Sequence, residues 1–223
     1  MSDSTRGARR QTRGGGSPRR RGLPGIITGA VVVVLVLGLI LSLREAGVLS
    51  GRPNTTPAAG TPGPTLALPT LAPDDPARGK KAEDLGNNHV ASGSTVSYPS
   101  LPPTSGPHWG SPAAPRPAGV YDTQLPFEAT VHNLEHGGVV IVYNNLSSDE
   151  VTRLTTLVRS IIGTTPYKKV LVMPFTGLTG AKVTATAWDW RLDLQSVDQP
   201  SILKFIEAHY DNAGNAPEPG TPW

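Results

Sequence analysis

Over residues 131–143 the chain runs from Val131-His132-Asn133-Leu134-Glu135-His136 through Gly137-Gly138 into the uncharged stretch Val139-Val140-Ile141-Val142-Tyr143. Five apolar or aromatic residues in a row, without polar alternation, suit a strand covered on both faces rather than one half-exposed to water. The fold must therefore place layers on both sides of a sheet, with a polar cluster just before its buried strand. The residues downstream supply such layers. Ser147-Ser148-Asp149-Glu150 carries a capping-box pattern, and Val151, Leu154, Leu157, Val158, Ile161 and Ile162 keep helical spacing up to Gly163, which is placed to end the helix. Residues 169–173 read as a strand stopped by Pro174, and residues 182–188 as another, reached through Gly177 and Gly180. The order strand, helix, strand predicts a right-handed parallel crossover, with the last strand returning as a hairpin partner. A second helix is expected after Asp198, with Pro200 in its first turn, Ile202, Phe205 and Ile206 buried, and His209 flanking the core. The expected fold class is α+β: a small three- to four-stranded mixed sheet with packed helices over residues 80–211.

The rest of the chain is of a different kind. Residues 26–43 are uncharged and rich in Val and Leu, about the minimum length of a membrane-spanning helix. Arg6, Arg9, Arg10, Arg13, Arg19, Arg20 and Arg21 precede this run, opposed only by Asp3. By the positive-inside rule residues 1–25 are a cytoplasmic tail, 26–43 a single transmembrane helix, and everything after Arg44 extracytoplasmic. A cleaved signal peptide fits less well, because the run is long and no Ala-x-Ala pattern follows it. Residues 44–79 form a Pro/Thr-rich linker with few bulky side chains, too few to offset the entropy of ordering it, and 212–223 a Pro/Gly-rich C-terminal tail. The net charge of +3 is concentrated in the arginine arm, so it gives no argument for nucleic acid binding by the folded part. With no cysteine, disulfides, thiolate metal sites, a cysteine nucleophile and a lipid-modified cysteine are all excluded.

That leaves histidine chemistry. His132 and His136 are four residues apart, so on one helical turn both imidazoles leave the same face and can share one ion. On a strand they would sit about 13 Å apart. The glycines after them favour the turn. His108, on the stiff loop Pro102-Pro103-Thr104-Ser105-Gly106-Pro107, offers a third imidazole, and His89 a fourth. Glu135 is placed to orient one of the rings or to cap the turn. Met173, at a strand end, offers a thioether, which with imidazoles and no thiolate favours copper over zinc. The ordinary role of such a methionine is core filling. Histidines beside Gly/Pro turns also lock loops by hydrogen bonding, which gives the alternative of a structural or partner-binding envelope module without metal. A third reading takes His132-x-x-Glu135-His136 as the inverted zinc-hydrolase pattern, which needs a substantial helix and a distant acidic ligand.

The segments Pro102–His108, Gly119-Val120-Tyr121, His132–Gly137 and Ala187-Trp188 resemble an uncharacterised bacterial family of membrane-anchored domains, of the DUF3105 type. The resemblance covers about the C-terminal two thirds of the chain and includes the ending Ala216-Pro217-Glu218. It implies a domain of unknown function, maps the family's motif histidines onto His89, His108, His132 and His136, and places Met173 near its strand-proline motif. It implies no activity.

Overall fold

The elements in chain order are β1 (Lys80–Lys81), β2 (His89–Val90), β3 (His108–Trp109), β4 (Gly119–Val120), α1 (Phe127–Glu135), β5 (Val139–Tyr143), α2 (Ser148–Thr164), β6 (Val170–Pro174), β7 (Val183–Ala187), β8 (Trp190–Leu194) and α3 (Gln199–His209), with a 3-10 turn at Pro76–Arg78 before them. They come from a computed structural model that describes residues 66–223. The arginine-rich tail, the apolar run 26–43 and most of the linker lie outside the described residues. Among the described residues no helix is long and apolar enough to cross a membrane.

The fold is α+β, but its sheet is larger than expected. Six strands pair in the order β1-β8-β7-β5-β6-β4, while β2 and β3 form a separate parallel pair. Two of the additional strands, β1 and β4, are two-residue edges too short to leave a period in the sequence. The third, β8, is separated from β7 by a tight turn at Trp188-Asp189, with Asp189 at φ 59°, so one apparent strand becomes a hairpin. The parallel crossover holds: β5 and β6 run parallel with α2 between them in sequence. The expected return of β7 beside β6 does not hold. β4 occupies the outer edge of β6, so β7 pairs antiparallel with β5, Ile141 opposite Ala185, and finds its hairpin partner in β8.

The period of two along β5 explains why both faces are covered. Val139 and Ile141 enter one core with Leu154 and Ile161 of α2 and Ile202 and Phe205 of α3. Val140 and Val142 enter the other with Val131 and Leu134 of α1. β6 divides likewise, Val170 and Val172 to the first side, Leu171 and Met173 to the second. Truncating a side chain such as Ile141, which is fully buried, to alanine costs about 2–5 kcal/mol. The helix starts follow the sequence: Ser147 and Glu150 exchange both capping-box bonds, and the Asp198 carboxylate caps α3 ahead of Pro200.

Composition understates how much of the chain packs. Leu66 lies against the first core, Ala77 is buried, and Asp75 pairs with Lys204 at 2.7 Å. At the other end Glu218 N donates to Glu135 O, and a Cβ on Gly138 would lie 1.8 Å from the Trp223 ring. The side chain of buried Lys169 fastens this end, donating to the carbonyls of His136 and Thr221 and pairing with Asp211.

His209 lies 2 % exposed between Trp190 and Phe205. Its Nε2 must donate, because its partner is the Arg78 carbonyl; its Nδ1 therefore accepts from the Asn215 amide. Both nitrogens are satisfied only in the neutral ring, and burial pushes the pKa down to about 4. Between that value and the ordinary 6.5 the unfolded chain binds the proton and the native protein does not, so stability is lost as pH falls through this window. Chemical denaturation at pH 7 and pH 4 is expected to show a loss that is smaller in His209→Gln by about 2–4 kcal/mol. An equal loss in both proteins would contradict this account.

Candidate metal centre

The site is built on α1. Pro126 precedes the helix, and Glu128 lies in its first turn, where it accepts from Val96 N. Val131 and Leu134 bury one side of the helix against the sheet, which leaves His132, Glu135 and His136 on the other. The sequence expectation of one helical turn becomes nine residues. Gly137, at φ 80°, ends it: Gly137 N donates to Leu134 O and Gly138 N to Asn133 O. A Cβ on Gly137 would sit 2.6 Å from Asp211 Oδ1, so no other residue fits that close approach.

Two loops bring the remaining imidazoles. Ser105 Oγ accepts from Leu85 N and donates to Glu83 O, while Gly106 N donates to Gly86 O and His108 N to Asn88 O. These bonds zip the Pro-rich loop to residues 83–90 and align β2 with β3, His89 beside His108. His108 is fully buried with Trp188 edge-on to its ring, whereas half of the His89 side chain is exposed. The rings of His89, His108 and His132 stand 4.8 to 5.1 Å apart, and those of His132 and His136 4.5 Å.

Three of the rings are locked in one tautomer. The Nδ1 of His108 lies 2.8 Å from Gly106 O, that of His132 2.7 Å from Trp109 O, and that of His136 3.0 Å from Pro222 O. A carbonyl oxygen can only accept, so each Nδ1 carries a proton, and in the neutral ring each Nε2 is left with a lone pair. Those lone pairs face other electron-rich atoms. His132 Nε2 and His136 Nε2 are 3.0 Å apart; His108 Nε2 is 2.9 Å from Glu135 Oε2, and His136 Nε2 3.3 Å from Glu218 Oε2. Each such contact needs a cation between its atoms, either a proton or a metal ion. Burial makes a proton on His132 unfavourable: desolvation, reinforced by the charges of His136 and His108, holds its pKa below the ordinary value despite the Trp109 carbonyl and Glu135. For Glu135, burial pushes the pKa upward, but the His108 contact, the Asn87 amide and His132 outweigh it, so the carboxyl stays ionised below its usual range.

Ligand atoms of His89, His108, His132 and Glu135 all lie within 4.8 Å of one another, and so do those of Glu135, His136 and Glu218. This geometry can hold a metal ion. Met173 is placed differently from these side chains. It is fully buried in the apolar cluster with Leu125 and Phe127, and its sulfur accepts from Leu125 N at 3.2 Å. Asn87 and Glu218 escaped sequence reasoning. Asn87 left no signal, and Glu218 only its place in the Ala216-Pro217-Glu218 ending.

Residues 89–222 match the model of a family described as "Protein of unknown function (DUF3105)". The chain belongs to the DUF3105 family. The match spans more than half the chain and takes in every ring and carboxylate of the two ligand groups, from His89 to Glu218. No curated protein matches the chain, and no solved structure does.

The tautomer of each ring is directly measurable in this DUF3105 domain. Long-range 1H–15N correlation spectra at pH 7, recorded after chelator treatment, are expected to show His132 neutral and protonated at Nδ1, with a midpoint below 6.5. Protonation at Nε2 instead would contradict the geometry.

Proposed function

We propose that this chain is a membrane-tethered, extracytoplasmic metal-binding protein whose folded domain holds a divalent transition-metal ion through His89, His108, His132 and Glu135. The observation that supports it best is the convergence of ring nitrogens of His89, His108 and His132 with a Glu135 carboxylate oxygen, all within 4.8 Å of one another. Metal-ligating histidines characteristically donate their other ring nitrogen to a carbonyl or carboxylate, as His108 and His132 do here. Two imidazoles on a tetrahedral zinc ion, with bonds of about 2.0–2.1 Å, hold their nitrogens about 3.4 Å apart, a spacing that the 4.8 Å limit on the four ligand atoms here accommodates. The half-exposed His89 side chain opens a path from solvent. The run 26–43 behind seven arginines supports the tether and the outward orientation.

The donors are nitrogen and oxygen. Soft sulfur would favour copper, but the sulfur of Met173 is bonded to Leu125 N inside an apolar cluster. An N3O set suits Zn(II) and also Cu(II), and the reading is of zinc-type divalent binding for capture or delivery rather than turnover. A second reading has one observation in its favour. The His132-x-x-Glu135-His136 pattern spans the last turn and C-cap of a helix, and Glu218 stands beside His136 as a distant acidic ligand, as in an inverted zinc hydrolase. There Glu135 would act as a base instead of a ligand.

Glu135→Gln separates the two. On the binding reading, the variant folds as the wild type does by circular dichroism, loses affinity for zinc at least about 100-fold in chelator competition, and no longer gains Tm when zinc is added. Retention of zinc with full affinity would overturn Glu135 as a ligand. If hydrolysis of model peptides were lost at the same time, the second reading would replace the first.

A further inference from the structure

Glu135 belongs to both convergent groups, and the groups touch where His132 meets His136. Around His136 the lone-pair conflict is greatest. With its proton committed to Pro222 O, His136 Nε2 faces the lone pair of His132 on one side and the Glu218 carboxylate on the other. One ion held by His89, His108, His132 and Glu135 relieves the contacts of His108 and His132 but leaves the contact of His136 Nε2 with Glu218 still in need of a cation of its own, a proton or a second metal ion. His136 is buried while about half of the Glu218 side chain is exposed, so this pair lies at the edge of the site, where an ion can enter from solvent. Bridging carboxylates that serve two ions about 3.5–4 Å apart are the usual means of keeping such cations together.

We infer that the domain holds a second divalent ion, bound by His136 and Glu218 and joined to the first through a bridging Glu135. The inference rests on the metal-binding reading of the first site and extends it to a two-ion centre. It also gives the C-terminal segment a role. Glu218 comes from residues 212–223, whose backbone reaches the site through Glu218 N to Glu135 O and Pro222 O to His136 Nδ1. The second ion would tie this segment to α1 by a ligand bond in addition to those hydrogen bonds, so its occupancy sets how firmly the segment is fastened. The ligand class is a borderline divalent cation that accepts one imidazole and two carboxylates, such as zinc or cobalt(II).

The test counts ions. The full chain, purified in detergent without a histidine tag, is loaded with zinc, passed through a desalting column, and analysed for zinc per protein together with Glu218→Ala. Two zinc ions per wild-type chain falling to one in Glu218→Ala is the expected result. One ion in both proteins would overturn the second site while leaving the first intact, and no zinc in either would overturn the metal-binding reading itself. One ion in the wild type and none in the variant would place a single ion at His132, His136 and Glu218, against both. Cobalt(II) gives a check independent of the variant's folding: two bridged ions weaken the electron paramagnetic resonance signal per cobalt relative to a one-equivalent sample, and an unchanged signal per ion would count against the bridge.

Discussion

Three imidazoles give their Nδ1 protons to backbone carbonyls, those of Gly106, Trp109 and Pro222, and nearly everything else in the site depends on that constraint. A side chain hydrogen-bonded to a side chain can rotate away with its partner. A carbonyl in a packed loop cannot, so ring orientation and tautomer are fixed together. The three carbonyls come from two chain segments far apart in sequence, and the fold must deliver both before the lone pairs can meet. The result is an arrangement of imidazole Nε2 atoms and carboxylate oxygens, with an ionised Glu135 among them, that in a buried setting requires a proton or a metal ion between the facing atoms.

The apolar structure holds this arrangement in place. α1 is fixed from beneath by Val131 and Leu134 on the sheet, so its polar side cannot turn away from the loops above it. At its C-terminal end Lys169 donates to His136 O, where a cation also complements the helix dipole, and the same ammonium grips Thr221 O and Asp211. One buried lysine thus joins the helix end, the end of α3 and the C-terminal segment. Gly137 and Gly138 permit the close approach, the first against Asp211 and the second against the Trp223 ring. The hydrophobic layers and the polar site are therefore coupled through a few contacts at one end of α1.

Much of this was legible in the residues. The unbroken apolar run of β5 announced a sheet covered on both faces, and the spacing of α2 and its capping box gave that helix correctly. The i, i+4 spacing of His132 and His136 gave their shared face, because helical periodicity depends only on local geometry. Long-range pairing was not legible. Two-residue strands such as β2 and β3 have no period to detect, yet their register is what sets His89 beside His108. Met173 shows the converse difficulty: a strand end before a proline looks open to a loop-built site, but alternation along β6 sends its side chain to the same face as Leu171, among apolar neighbours. Glu218 lies in a stretch whose Pro and Gly content reads as a tail, and only tertiary contacts to Glu135 and His136 reveal that it packs.

The central claim is that nitrogen lone pairs from separated imidazoles converge on a common cation. X-ray absorption spectroscopy at the zinc edge, on the zinc-loaded chain, reads that cation's surroundings without reference to function. The account predicts a shell of nitrogen and oxygen at about 2.0–2.1 Å, with the outer-shell scattering of at least two imidazole rings and no sulfur near 2.3 Å. A shell of oxygen alone, as from hydrated or surface-bound zinc, would contradict it, and so would a sulfur ligand.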